Sequence, residues 1–236
     1  MKRAAVLVAV ALGAGLVALA AVPDTAAAYP IRPQPLRELV EKADAIVVAR
    51  VRSWDEYDRR DEDDWNTRVA VLHIVDVVKG DALPGPELRI PFPGNLICPE
   101  PPRYPPWTTV LAFLVWNPHW GRLETLALSY GTKDVSDPLV RVSYVAAVRR
   151  LLDILDLPDE AERAARTVEW LVQCAIDPRL RWEGAYDLAH GPAGEALSVE
   201  QRRRLLAAVL SSESLDDPGT VCIVLLLERL RNQRRR

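Results

Sequence analysis

The chain has 236 residues, of which 49% are hydrophobic and 27% charged, so it can bury one large core or two small ones. Its formal net charge of −3 is small and gives no reason to expect a nucleic-acid partner. Its three cysteines lack the Cys-x-x-Cys and Cys/His spacings that zinc sites use, so no zinc site is indicated.

The first 28 residues have the pattern of a secretory signal peptide. Lys2 and Arg3 precede an apolar run over residues 4–22, and three alanines at residues 26–28 form a small-residue exit. We predict cleavage after residue 28, which makes the protein periplasmic or extracellular with no membrane contact. The alternative is a retained membrane anchor, because the apolar run is about long enough to span a bilayer.

From residue 29 to residue 135 the pattern indicates β-strands. Short β-branched runs alternate with Pro and Gly, which is typical of strands and turns. The predicted elements, in chain order, are a helix at 36–43 and strands at 45–54, 67–78, 87–92, 108–116 and 122–130. The fourth strand (TTVLAFLVW) is almost entirely apolar, so we expect it to be central and buried on both faces.

Five short strands with few helices predict a small antiparallel barrel. The runs LRELVEKADAIVVARVRSW, VAVLHIVDVVKG, ELRIPF and TTVLAFLVW resemble the netrin-like, or tissue-inhibitor-of-metalloproteinase-like, OB-barrels of exported bacterial proteins, over residues 36–131. The resemblance implies an OB-type barrel that binds another molecule, usually a protein. The metalloprotease inhibitors of that superfamily use an N-terminal Cys on the target's zinc. The predicted N-terminus here is Tyr29-Pro30, so that mechanism does not carry over.

The remainder, residues 136–236, is predicted to be α-helical. Asp-Pro pairs at 137–138, 177–178 and 217–218 lie 40 residues apart, and Asp followed by Pro is a strong helix-start signal. The predicted helices are 138–155, 159–176, 178–189, 198–210 and 218–230. The spacing fits a HEAT-like array, and a generic helical bundle is the alternative. The predicted fold class is therefore α+β, a small OB-type barrel followed by an all-α domain.

Aromatic residues near two Pro-rich loops are the first candidates for binding. The four residues are Tyr104, Trp107, His119 and Trp120. If the two loops gather at one barrel rim, they form a rigid apolar patch of the kind that anchors protein interfaces. In the alternative interpretation the rings plug the end of the barrel or contact the helical half.

Arg181 and Trp182 are the second candidate group, in the densest polar-aromatic segment of the helical half. They form either a recognition ridge or a packed seam between helices. Arg181 is expected to stack on Trp182 or to pair with Glu183.

The sequence predicts no catalytic residue, cofactor or metal site. The three His residues are far apart, and no nucleophile elbow or phosphate-binding loop occurs. The acidic stretch 55–64 could attract Ca²⁺, but it lacks the spaced ligands of an EF-hand and fits a solvated strand connector. Cys174 and Cys222 are expected to be buried or bridged to each other, and Cys98 lies in a Pro-rich loop.

These observations favour an exported, non-catalytic binding protein of two modules that recognises an unknown protein, a glycan or another envelope component through the barrel rim. One alternative is an exported hydrolase whose site the sequence does not reveal. The other is a structural scaffold of the cell envelope.

Overall fold

The computed structural model describes residues 32–57, 65–80 and 85–233. The predicted signal peptide and its cleavage site lie outside the described residues, as does most of the acidic stretch. The elements are α1 (Leu36–Lys42), β1 (Ala45–Glu56), β2 (Arg68–Lys79), β3 (Glu87–Phe92), β4 (Thr109–Asn117), β5 (Arg122–Thr125), β6 (Thr132–Asp134), α2 (Pro138–Leu155), α3 (Glu160–Ile176), α4 (Arg181–His190), α5 (Val199–Leu210) and α6 (Pro218–Gln233).

The strands form one antiparallel sheet with the order β3-β2-β1-β4-β5, and β6 also pairs with β4. The two edge strands, β3 and β5, approach each other, so the sheet closes into a nearly complete barrel. This order is compatible with an OB-type barrel. The α+β fold class, a barrel followed by helices, is confirmed.

Strand β4 and the first half of β1 are buried on both faces, as the sequence predicts for the fourth strand. Val47, Ala49, Ala112 and Leu114 point into the barrel, where they meet residues such as Leu72 and Phe92. Their neighbours Ile46, Val48, Leu111 and Phe113 belong to a second core, formed with the helices. Because successive side chains alternate between faces, a strand covered on both sides must be apolar throughout.

The predicted fifth strand, 122–130, is wrong in its second half. Strand β5 ends at Thr125, and Ala127 and Leu128 take positive φ values of 56° and 52°. The chain leaves the sheet there, makes a 3₁₀ turn and returns as β6 beside Val110–Ala112. A Cβ at Gly131 would lie 1.7 Å from the Leu126 carbonyl oxygen, so the return requires glycine.

Most predicted helix starts are confirmed by their caps. The Asp137 carboxylate accepts the Leu139 N–H at 2.7 Å, and Asp217 accepts the Thr220 N–H at 2.8 Å. Ser198 and Gln201 form a reciprocal capping box at α5.

The predicted start of the third helix at Pro178 is wrong. The carbonyl of Asp177 accepts the Leu180 N–H at 3.1 Å and its carboxylate accepts the Arg179 N–H at 2.9 Å, which closes a turn. Helix α4 therefore begins three residues later, at Arg181.

From Pro33 onward, the described residues pack as one compact unit. The predicted domain boundary at residues 135–136 lies in the short link between β6 and α2, and it stays a prediction. Within the described part of the chain, no helix is long and apolar enough to cross a bilayer.

Close packing between α3 and α4 depends on Gly184. A Cβ there would lie 2.3 Å from the Leu171 carbonyl oxygen and 2.5 Å from the Ala175 nitrogen. We predict that Gly184→Ala lowers the free energy of unfolding by about 1–3 kcal/mol because the helices must separate. Urea denaturation measures this. Helix propensity alone would give the opposite sign, a gain of about 1 kcal/mol, and that result would contradict the packing argument.

Candidate functional site

Trp107 lies on a turn that hydrogen bonds and two preceding prolines stabilise. Its N–H donates to the Val51 carbonyl at 2.8 Å, and the Thr108 hydroxyl donates to the Pro105 carbonyl at 2.6 Å. Pro105 and Pro106 restrict the preceding backbone, and Trp107 itself takes a left-handed φ of 70°. Its side chain is 73% exposed. The turn therefore holds a large aromatic ring in solvent at a conformational cost.

Tyr104 occupies the barrel interior. Its ring packs edge-to-face on Phe92, and its hydroxyl shares a hydrogen bond of 2.6 Å with Thr125. Burial raises the pKa of Tyr104 above its ordinary value, so the phenol stays protonated. The Trp54 indole N–H donates to the Tyr104 carbonyl, and the Trp54 ring packs edge-to-face on Phe92. Tyr104 is thus a core residue with a full set of contacts.

His119 and Trp120 lie in the turn after β4. The Asn117 side-chain oxygen accepts both of their backbone N–H groups, at 3.0 and 3.3 Å, and the two rings meet edge-to-face. The Arg122 guanidinium lies over Trp120 and over Tyr57, which follows β1.

Trp107 precedes β4 and Trp120 follows it, so about 26 Å of extended strand separates the two loops. The four aromatic candidates do not form one patch.

Arg181 lies at the start of α4, where it is only 8% exposed. Its guanidinium donates to the hydroxyls of Ser212 and Thr220, at 3.0 and 3.3 Å, in the link between α5 and α6 and at the start of α6. The predicted pairing with Glu183 is wrong, since that carboxylate binds Lys133. Arg181 joins helices at a buried seam.

Trp182 belongs to a stack of aromatic rings, and the sequence pattern does not indicate all of its members. It stacks on Tyr130 at 6.0 Å and on Tyr186 at 5.3 Å, and Tyr186 contacts His190 at 4.4 Å. Tyr130 comes from the loop between β5 and β6, so the stack joins barrel to helix. The sequence pattern predicts a strand at Tyr130 and gives no indication that this ring lies beside Trp182.

A cleft of about 600 Å³ opens where the barrel meets the helices. Its lining comes from the Pro-rich loop, β4, the β5–β6 loop with β6, and two helices: Glu100, Arg103, Pro105, Val110, Ser129, Tyr130, Thr132, Lys133, Asp134, Tyr144 and Trp182. Both Trp182 and the loop that carries Trp107 therefore border the same cavity. Its size is within the range of ligand sites, and its walls combine aromatic rings with charges of both signs.

Two residues that line the cleft, Lys133 and Tyr144, are held by the carboxylate of Glu183, which is buried and only 3% exposed. Lys133 Nζ lies 2.6 Å from Glu183 Oε1, the Tyr144 hydroxyl donates to the same oxygen at 3.2 Å, and the Leu36 N–H donates to Oε2 at 2.9 Å. These donors come from β6, α2 and the start of α1. Burial, reinforced by the Glu183 charge, raises the pKa of Tyr144, so its hydroxyl remains a donor.

A second, partly buried ion pair lies one helical turn along α4. Arg37 donates to both oxygens of Asp187, at 2.6 and 3.1 Å, and also pairs with Glu41. The hydrogen bond to Asp187 is the main reason that the pKa of Arg37 is raised. The i,i+4 spacing of Glu183 and Asp187 on a helix was the available sequence signal, because it places two acids on one face.

The described residues place the remaining candidates for chemistry apart from one another. All three cysteines are free, so the alternative bridge between Cys174 and Cys222 is not formed. Burial raises the pKa of both thiols. Cys98 is exposed, and residues 32–57, 65–80 and 85–233 contain no group of three His, Cys, Asp or Glu arranged to hold a metal ion.

No protein-family model matches the chain, and no curated protein or solved structure matches it either.

The Lys133–Glu183 pair should be energetically coupled. We predict that Glu183→Gln and Lys133→Met each lower the free energy of unfolding by about 3 kcal/mol, because each leaves an uncompensated buried group. The double variant should lose at least about 1 kcal/mol less than the sum of the two. Urea denaturation of the four proteins gives the cycle. Additive losses would show that the two side chains act independently.

Proposed function

We propose that the chain is an exported, non-catalytic binding protein that holds a segment of another protein in the cleft between barrel and helices, with Trp107 as the anchor. The observation that carries the proposal is the state of Trp107: 73% exposed, in a left-handed backbone conformation, on a turn held by hydrogen bonds. Large rigid side chains of this kind supply most of the binding energy at protein interfaces.

The position of Trp107 connects it to the cleft. Pro105, two residues earlier, lines the cavity, so a chain that packs on the Trp107 ring can continue inward along the Pro-rich loop. Arg103 and Glu100 pair with each other at 2.7 Å on the exposed side of that wall. An exposed pair of this kind is weak, so both groups can exchange partners when a peptide binds.

Two alternatives have less support. A scaffold would bury its aromatic groups, whereas Trp107 is largely in solvent. A hydrolase would bring a His together with a nucleophile or a pair of carboxylates. The described contacts place His119 against Trp120 and His190 against Tyr186, and His73 is exposed on β2.

The relation to netrin-like barrels is also a proposal. Its support is the set of apolar runs over residues 36–131 together with the strand order of the barrel. Export is supported by the N-terminal sequence pattern.

Substitution of Trp107 should separate binding from stability. We predict that Trp107→Gly abolishes partner capture, since loss of an anchor costs about 2 kcal/mol or more, roughly 30-fold in affinity. The same change should leave the unfolding free energy unchanged or raise it slightly, because glycine adopts positive φ without strain. Pull-down from envelope extract and urea denaturation measure the two effects.

The matched control is Trp116→Ala, which removes another half-exposed tryptophan at the far end of β4. It should capture the same partners as the unmodified protein. Retention of every partner by Trp107→Gly would refute the anchor role. If the protein binds a glycan array and this binding requires Trp107, the partner is a sugar and not a protein.

A further inference from the structure

A second concave surface lies at the C-terminal end of the chain, away from the cleft. It is a groove of about 560 Å³ between α5 and α6. The apolar residues that line it are Val199, Leu206, Val209, Val224 and Leu227. On each helix the lining residues recur at spacings of three and four, so each helix contributes one continuous stripe. Leu206 is 48% exposed in the middle of its stripe.

We infer that this groove is a docking site for an amphipathic helix of a partner protein, with acidic residues flanking the apolar stripe of that helix. A concave trough between two packed helices matches the ridge of side chains on a third helix. Helix α5 has 12 residues and is therefore about 18 Å long, which accommodates three to four turns of a bound helix.

The charges around the groove are the reason that we expect acidic residues on the flanks of the bound helix. Arg202, Arg203 and Arg231 line it against a single acid, Glu228. Arg203 pairs with Glu200 at 2.9 Å, but both side chains are largely exposed, so the pair is weak and can open. Arg202 donates to the Leu197 carbonyl at 2.7 Å, yet its Nε is buried without a hydrogen-bond partner. Carboxylates on a docking helix would meet these arginines.

The segments of this chain outside the described residues lack the sequence pattern of an acidic amphipathic helix. The apolar run at residues 4–22 contains no acid and follows two basic residues, and residues 58–64 are charged throughout. Residues 234–236 are all arginine. A second copy docked through the same groove would set arginine against arginine. A membrane surface is flat, whereas this surface is concave. A separate acidic helix remains the occupant that fits both shape and charge.

Two designed peptides of about five turns test the inference, with one leucine stripe at helical spacing and flanks of either glutamate or lysine. Fluorescence anisotropy with the purified protein should show that the glutamate peptide binds at least about tenfold more tightly, with an affinity that falls as salt rises. Leu206→Asp should weaken that binding at least about tenfold. The double variant Arg203→Glu/Arg231→Glu should reverse the preference, so that the lysine peptide binds better.

The matched control is Leu139→Asp, which changes an exposed leucine on α2 outside the groove and should leave peptide binding unchanged. Trp107→Gly should also leave it unchanged, so failure here is distinguishable from failure of the proposed function. The inference is overturned if the two peptides bind equally or if folded Leu206→Asp binds normally. It is also overturned if Leu206→Asp abolishes self-association in sedimentation or binding to anionic phosphatidylglycerol vesicles.

Discussion

The attachment of the barrel to the helices depends on one buried carboxylate. Glu183 accepts hydrogen bonds from the start of α1, from Tyr144 on α2 and from Lys133 on β6, so three elements that are each distant from it in sequence converge on one side chain. A buried charge is tolerated only when it is paired and hydrogen-bonded, and each donor here satisfies part of that requirement. Helix α1 begins after Pro35, which has no capping side chain, and Glu183 supplies the missing acceptor for its first N–H. This convergence positions Lys133 and Tyr144, which line the cleft.

The apolar core explains why the barrel does not stand alone. Strands β1 and β4 send alternate residues into the barrel and toward the helices, and the outward residues form a single core with α1 to α6. A solvated barrel would show polar residues at those outward positions. The helices are thus the cover that the sheet requires, and the second ion pair, between Arg37 and Asp187, lies on the same α4 face that fixes α1.

The sequence predicts the fold better than the site, for physical reasons that particular residues illustrate. Strand and helix existence follows from local periodicity and caps, so Asp137, Ser198 and Asp217 mark helix starts correctly. The local sequence pattern mispredicts secondary structure where a tertiary contact determines the path of the backbone. The alternation after Thr125 indicates a strand, but the chain turns there, with a close backbone approach at Gly131. The cleft brings together residues about 30 to 80 positions apart, such as Arg103, Lys133 and Trp182. No single-sequence pattern encodes that contact, and the pairing of Lys133 with Glu183 could not be inferred without it.

The aromatic residues that the sequence identified as candidates for binding, in two groups, have separate physical roles, and the difference bears on function. Tyr104 and Trp182 are held by contacts within the chain, so their hydrophobic surface already contributes to folding. The Trp107 ring makes no comparable contribution to folding, because most of it faces water. Its backbone is also in a conformation that costs a non-glycine residue free energy. Glycine at that position would be the more stable choice for the isolated chain. A residue that lowers stability, on a turn held by hydrogen bonds, supports the proposal of a contact made outside the chain. The cleft beside it is where that contact would begin.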